Sequence, residues 1–328
     1  MKKKQTLGTF ISKNIIYIAF VIMLIGLSVF TSSFLQMKNL VNVLRQATVV
    51  GVLSMGMTFV IIGGGIDLSV GSTMALASCI AAAYSTSTTA IPLPLAIALG
   101  CLVGIVVGAL NGIVVAYLGV VPFIATLGMQ YAVRGVALVY TGGRPINALT
   151  TAFTNLGKGY AGPIPVPVII FAIVALISWF FLAKTQFGRY IYAIGGNERA
   201  SKLSGIKVDR VKIWVYAFSG LCSAIVGIIA TSQLVSATPK TGESWEMNAI
   251  AASVLGGTSM AGGVGSIGGT IVGAFVIGVI NDGMTMCGVT EFWQKIIRGL
   301  VIIIAVIIDQ FQRNLQAKMA LQARNENK

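Results

Sequence analysis

Long apolar runs separated by short polar breaks dominate this chain. The runs occupy residues 15–34, 46–63, 69–89, 94–118, 122–140, 164–183, 213–234, 245–260, 266–284 and 293–311. A hydrocarbon core about 30 Å thick takes roughly 20 helical residues per crossing. Because the runs are continuously apolar, whereas strands of a membrane barrel alternate apolar and polar residues, the pattern predicts an all-α polytopic membrane protein with about ten transmembrane helices.

Two of these runs differ from an ordinary span. The run over 245–260 is short and ends in glycines, so it either crosses the membrane or re-enters it from one side. The first run follows Met1-Lys2-Lys3-Lys4 and has the order of a signal peptide. It is longer than the roughly 7 to 15 apolar residues of a signal sequence, which predicts an uncleaved first span.

Basic residues indicate the orientation. The chain has 23 Lys and Arg against 9 Asp and Glu, a formal net charge of +14. They concentrate in the N-terminal tail, a central loop over 184–213 and a tail over 312–328, which fits the positive-inside rule better than a nucleic-acid surface. We therefore expect one transmembrane domain over 1–328, with both termini and the central loop in the cytoplasm. Its surroundings are the lipid bilayer and not nucleic acid.

Composition excludes several kinds of chemistry. Hydrophobic residues make up 56% of the chain and charged residues 10%, and there is no histidine, which excludes Ser/His nucleophiles and His-containing zinc sites. Residues 157–159 have neither the upstream glycine nor the Ser or Thr of a phosphate-binding loop, and the GxGxxG match at 263–268 lies between two apolar runs instead of in a βαβ unit. The chain is predicted not to be an enzyme and to bind no cofactor or metal itself.

Glycine is placed in two informative patterns. Apolar segments in both halves are interrupted by glycines, over 63–71 and over 256–269; such paired breaks line a cavity in many transporters, and plain loops between short helices are the alternative. Gly100, Gly104, Gly108 and Gly112 recur every four residues and predict a smooth helix ridge. The ridge permits close packing, either within the chain or against a second copy.

Polar side chains in or beside apolar runs are candidates for the translocation path, because a charge there is costly unless it faces a cavity or a partner. The path candidates are Asp67, Ser69, Arg134, Asn281 and Asp282. For Asp67 the alternative is capping of a helix that begins near Leu68, and the two roles are compatible. For Arg134 the alternative is a side chain that extends to the membrane surface.

The central loop contains a predicted two-turn helix over 197–205. Asn197 is placed to cap it, Glu198 to complement its positive end and Gly205 to terminate it in a left-handed conformation. Ala200 and Leu203 fall on one face. Because so short a helix is marginal alone, we expect its apolar face to dock in a partner's groove; a solvated basic loop is the alternative.

Four groups of motifs resemble the membrane permeases of bacterial ABC importers for monosaccharides, the ribose, galactose, xylose and arabinose group. The motifs are Gly56-Met57-Thr58 with Gly65-Ile66-Asp67-Leu68-Ser69-Val70-Gly71-Ser72, Phe123-Ile124-Ala125-Thr126-Leu127-Gly128, Phe187-Gly188-Arg189-Tyr190 with Gly195-Gly196-Asn197-Glu198, and Ala249-Ile250-Ala251-Ala252 with Leu255-Gly256-Gly257-Thr258-Ser259. The resemblance extends over nearly the whole chain.

The resemblance implies a multi-pass subunit in the bacterial cytoplasmic membrane that moves a monosaccharide inward, with ribose suggested by overall similarity. It implies three protein partners: a cytoplasmic ABC ATPase that holds ATP and Mg, an extracytoplasmic sugar-binding protein, and a second permease copy in a homodimer. It also implies that the central loop holds the coupling helix that contacts the ATPase. The coupling residues are then Asn197, Glu198, Arg199, Ala200, Leu203, Ser204 and Gly205.

The coupling motif departs from the EAA-x3-G signature of such permeases. Alignment on Gly205 places Arg199, Ala200 and Ser201 where Glu, Ala and Ala would stand. Two other functions remain open at this stage. One is an ABC permease for branched-chain amino acids or nucleosides. The other is a secondary transporter driven by an ion gradient, in which Asp67, Arg134 or Asp282 would be essential.

Overall fold

The computed structural model describes residues 18, 20–29, 31, 33–304, 306, 307 and 310, and helices account for most of them. The helices are α1 (Phe20–Val29), α2 (Met37–Ile62), α3 (Val70–Ala83), α4 (Leu93–Ala116), α5 (Pro122–Thr141), α6 (Thr151–Lys158), α7 (Val166–Lys184), α8 (Gln186–Gly196), α9 (Glu198–Leu203), α10 (Val208–Leu234), α11 (Trp245–Leu255) and α12 (Ile267–Met286), with a further helical stretch over 291–304. The basic tails over 1–17 and 312–328 lie outside the described residues.

Six helices are long and apolar enough to cross a membrane, namely α2, α4, α5, α7, α10 and α12. This confirms a polytopic helical membrane protein. Two further predicted spans are shorter, with 14 residues in α3 and 11 in α11. At 1.5 Å per residue α11 is only about 16 Å long, about half a crossing, and the predicted runs over 15–34 and 293–311 extend into residues that are not described.

Local departures from the prediction have local causes. An all-α chain was expected, but β1 (Tyr160–Ala161) and β2 (Ile164–Pro165) form a two-stranded antiparallel hairpin. Gly162 turns it at φ 63°, a conformation that glycine adopts without a Cβ clash. Helix α3 ends at Ala83, earlier than its apolar run, because the Thr89 hydroxyl donates to the Ala83 carbonyl and closes a turn.

Helix α10 is the centre of the bundle and packs along α4. The glycine ridge of α4 faces it: a Cβ added to Gly112 would lie 2.5 Å from Ile213 Cα, and one on Gly104 would lie 2.7 Å from Ala224 Cβ. Close packing was predicted for this ridge, and its partners are in the same chain. Such backbone contact is how helices associate where lipid supplies no hydrophobic drive.

The two glycine breaks meet at one end of the bundle. The Gly263 amide donates to the Ile62 carbonyl at 2.8 Å, and a Cβ on Gly262 would lie 2.8 Å from the Gly195 carbonyl oxygen. We call residues 63–65, 195–196 and 262–263 together the glycine end. It joins the end of α2, the end of α8 and the turn after α11.

Candidate functional site

Asp67 is the most buried carboxylate among the described residues and binds side chains of two other helices. It is 1% exposed and lies between α2 and α3. Its Oδ1 accepts from the Ser69 amide at 3.0 Å, from Ser69 Oγ at 2.7 Å and from Asn111 Nδ2 of α4 at 3.4 Å, and its Oδ2 accepts from Ser219 Oγ of α10 at 2.9 Å. Hydrogen bonds, not a basic partner, stabilise this buried acid.

The Asp67 cluster also fixes the backbone of the glycine break. Tyr216 Oη donates to the Ile66 carbonyl at 3.2 Å, and Thr126 Oγ1 accepts from the Leu68 amide at 3.1 Å. Helix α3 begins at Val70, not near Leu68 as expected, with Ser69 at its N-cap position. Asp67 therefore bonds the amide before α3 and also links three helices.

Arg134 holds an irregular segment over 235–244 between α10 and α11. Its Nη1 donates to the carbonyls of Pro239 and, at 2.9 Å, Thr241. The segment begins at Val235 and ends at Ser244, both left-handed at φ 57° and 65°. Each such non-glycine residue costs of order 1–3 kcal/mol. The Arg134 head group thus binds backbone carbonyls of this segment.

Glu246 and Gln130 were missed by the sequence argument. Glu246 lies in the first turn of α11, is 5% exposed, and its Oε1 accepts from Gln130 Nε2 at 3.5 Å. Its Oε2 is buried and has no hydrogen-bond partner. An acid at the start of the weakest apolar run looks like a boundary residue, so only its burial in the tertiary structure identifies it.

Asn281 and Asp282 form a third region, on α12. Asp282 accepts from Asn39 Nδ2 at 2.9 Å and from Gln46 Nε2 at 3.4 Å, while Asn281 lines a small cavity with Arg298. Within the described part of the chain no hydrogen bond or ion pair joins Asp67, Arg134 and Asp282. The path candidates therefore lie in three separate clusters, Asp67 with Ser69, Arg134, and the adjacent Asn281 and Asp282.

The predicted coupling helix is present as α9. Asn197 Oδ1 accepts from the Ala200 amide at 3.0 Å, and Gly205 ends the segment at φ 82°. Glu198 pairs with Lys212 at 2.7 Å, the one ion pair among the described residues. Leu203 is 90% exposed, so the small apolar face points away from the protein.

An open groove and an internal cavity flank this segment. The groove beside α9 is lined by Phe187, Tyr190, Gly205, Arg210 and Trp214, among others. The cavity lies behind α8 and is lined by Ile191 and Ile194, by the turn at Gly63, Gly64 and Gly65, and by Tyr216. Tyr216, which also binds the Ile66 carbonyl, thus lines the same cavity as the two isoleucines of α8.

Comparison with known proteins now decides the family. The family described as branched-chain amino acid transport system / permease component matches residues 39–306. This chain belongs to that family. The permease is 48% identical over 296 residues to the ribose import permease protein of Bacillus subtilis, covering 90% of this chain and 91% of that one.

Two further relatives extend the comparison. The ribose import permease protein of Haemophilus influenzae is 42% identical to this permease over 319 residues, 95% of this chain and 98% of its own. The xylose transport system permease protein of the same organism is 34% identical over 357 residues, 90% and 95% of the two chains. No solved structure matches significantly. The permease is a multi-pass protein of the inner membrane.

The polar clusters of this permease suit positioning better than covalent chemistry. No group of three or more His, Cys, Asp and Glu side chains that could hold a metal ion occurs among the described residues. The clusters supply hydrogen bonds that fix a helix to a glycine break or to the segment over 235–244.

Proposed function

We propose that this chain is the membrane-spanning subunit of an ATP-driven importer that carries a monosaccharide, ribose in the first instance, into the cytoplasm. The observation that carries the proposal is 42–48% identity to ribose import permeases over nine-tenths of the chain. ATP and Mg then belong to a separate ATPase subunit, and an extracytoplasmic sugar-binding protein delivers the substrate. The permease contributes the path and its switching.

We further propose ten crossings with both termini in the cytoplasm. The end of α2, the end of α4 and the start of α10 lie at the same end of the bundle as α9. That end carries the basic loop over 184–213, which the positive-inside rule assigns to the cytoplasm. The segment over 235–244 followed by α11 makes one crossing, and the basic tail over 312–328 returns to the inside.

A second copy of the permease is proposed to cover the outer face of α5. Helix α5 is the least buried and the least apolar of the six candidate spans. On its open side Gly128, Ala132 and Gly135 fall on one face, and a Cβ on either glycine would meet no heavy atom within 4 Å. A smooth, weakly apolar face is better suited to a protein neighbour than to lipid, which supports a homodimer around a central path.

Coupling is proposed to run from α9 to the Asp67 cluster. Closure of the ATPase would move α9 through its exposed Leu203 face, and α8 would transmit the displacement to the turn at 63–65 across the shared cavity. Asp67 and Ser69 then act as an inner latch, Arg134 holds the outer segment, and Asn281 and Asp282 support the outer end of α12. In this scheme no sugar binding is required at Asp67.

The first test is purification of the permease from native membranes in mild detergent, with mass spectrometry of the proteins that copurify. A stoichiometric ABC ATPase is the expected result. A monodisperse preparation that reproducibly lacks an ATPase contradicts the proposal and favours an ion-coupled carrier.

Uptake then identifies the substrate. Proteoliposomes that contain the permease, its ATPase and its binding protein should accumulate labelled ribose. They should do so only when ATP is supplied on the side of the membrane where the ATPase lies. Unlabelled ribose should compete, and leucine should not. Competition by leucine with none by ribose would transfer the assignment to amino acids, which the family description also names.

A further inference from the structure

The geometry points to a sugar-contact site within the permease itself, at Glu246 with Gln130, beneath the segment over 235–244. This inference rests on the proposed function and deepens it, because it names where the chain touches its substrate during passage. It is carried by one buried carboxylate oxygen that has no hydrogen-bond partner. Gly71 and the segment over 235–244 lie next to this oxygen.

Glu246 is almost fully buried, and one of its carboxylate oxygens has no hydrogen-bond partner. The side chain is 5% exposed, and only Oε1 has a partner, the Gln130 amide at 3.5 Å, a long contact. Oε2 is buried without a hydrogen bond. A buried polar atom of this kind is rare in native proteins and costs free energy. A hydroxyl donated by a ligand would satisfy it with a charge-assisted hydrogen bond.

A glycine and a backbone carbonyl lie next to the unpartnered carboxylate oxygen. A Cβ on Gly71 would lie 2.9 Å from Glu246 Oε2 and against the carbonyl oxygen of Gly242. Gly71 therefore presents no side chain to the free oxygen, and the Gly242 carbonyl of the segment over 235–244 lies beside it. A ligand would reach the carboxylate and these backbone carbonyls only if that segment is displaced.

The polar groups around Glu246 favour a ligand that is uncharged and carries hydroxyl groups. The Glu246 carboxylate can accept hydrogen bonds and the Gln130 amide can donate and accept them, while the Arg134 guanidinium binds carbonyls of the covering segment. Together these groups suit a neutral molecule with several neighbouring hydroxyls. A cationic ligand is disfavoured by Arg134. An anion is disfavoured by Glu246. A monosaccharide has the required chemistry.

In the proposed topology, this site lies in the outer half of the membrane. Residue 134 lies 12 positions after Pro122, about 18 Å along α5 at 1.5 Å per residue, and in the proposed topology this is the half of the membrane toward the binding protein. The covering segment ends at two left-handed non-glycine residues, Val235 and Ser244. A sugar released from outside would meet Glu246 before it reaches the Asp67 cluster.

The test uses the complete importer in proteoliposomes, with saturating ribose-loaded binding protein so that its affinity does not limit the rate. Initial uptake of labelled ribose and ATP hydrolysis are measured in the same vesicles. For Glu246→Gln we expect uptake to fall about tenfold, while hydrolysis stimulated by the binding protein stays within about twofold. The matched control is Glu291→Gln, an exposed acid outside this segment, which should leave both rates unchanged.

Two results would overturn the site. One is normal uptake by Glu246→Gln; the other is a parallel loss of uptake and hydrolysis, which indicates a structural role. If Glu246→Gln does not yield a monodisperse complex, Gln130→Ala decides the matter, with an expected loss of uptake of about threefold at retained hydrolysis. Failure of the unmodified importer to transport ribose would instead contradict the proposed function, so the two failures are distinguishable.

Discussion

A single added methyl group on the ridge of α4 should destabilise the permease, whereas the same change on α5 should not. In Gly104→Ala the new Cβ would lie 2.7 Å from Ala224 Cβ and closer still to the Gly220 carbonyl oxygen. Carbon atoms attract best at about 3.5–4.0 Å, so α4 and α10 must separate by about 1 Å. The obstacle is backbone, which cannot rotate away.

The magnitude follows from two opposing terms. Overpacking of a close contact costs about 1–3 kcal/mol, and replacing glycine by alanine in a helix contributes about 1 kcal/mol in the other direction. Gly104→Ala should therefore lose up to about 2 kcal/mol. Gly128→Ala, whose Cβ would meet no heavy atom within 4 Å, should gain up to about 1 kcal/mol.

The assay is thermal unfolding of the purified permease in one detergent, followed by fluorescence of a thiol-reactive dye at its buried cysteines. At about 2–4 °C per kcal/mol for a domain of 150–250 residues, Gly104→Ala should melt about 5 °C below Gly128→Ala. Equal melting temperatures for the two variants would refute the conclusion that the α4 ridge is in backbone contact with α10.

Three further predictions concern the other polar elements. Asp67→Asn keeps an acceptor for Ser69 and should lower the free energy of unfolding by about 1 kcal/mol. Asp67→Ala leaves several donors without an acceptor and should lower it by about 3 kcal/mol or more. Melting temperatures measure the difference, and similar values for the two variants would contradict the latch. Gly205→Pro should abolish ribose uptake and weaken copurification of the ATPase at unchanged membrane insertion, and normal uptake would refute the coupling role of α9. Lys212→Ala breaks a partly exposed ion pair worth about 1 kcal/mol or less, so uptake should stay near normal. A large loss of uptake would show that this pair contributes to coupling.

The segmental pattern of the chain was accessible from the sequence because lipid imposes it. Apolar runs of spanning length predict helices, and the structure confirms a helical polytopic bundle. Asn197 and Gly205 predict the ends of a short helix, and α9 begins and ends where those residues place it. These features depend on neighbours within a few residues, which the sequence displays directly.

Contacts between distant segments were not accessible in the same way. Asp67 stands out in sequence as an acid near an apolar run, yet its partners Asn111 and Ser219 lie 44 and 152 residues away. Glu246 carries no local signal at all, since an acid beside a short apolar run is usual at a membrane boundary. Gln130 reaches it from a position 116 residues earlier.

The sequence by itself determined that the chain is a bundle of apolar helices, where its basic loops lie and which short helix projects from it, because periodicity, charge placement and capping are local properties. The tertiary structure alone decided that the α4 glycines pack against α10, that the two glycine breaks meet, and that Glu246 is buried with a free oxygen. The physical reason is that burial and hydrogen-bond satisfaction depend on which helices pack together, and in a membrane many pairings of apolar helices have similar hydropathy patterns.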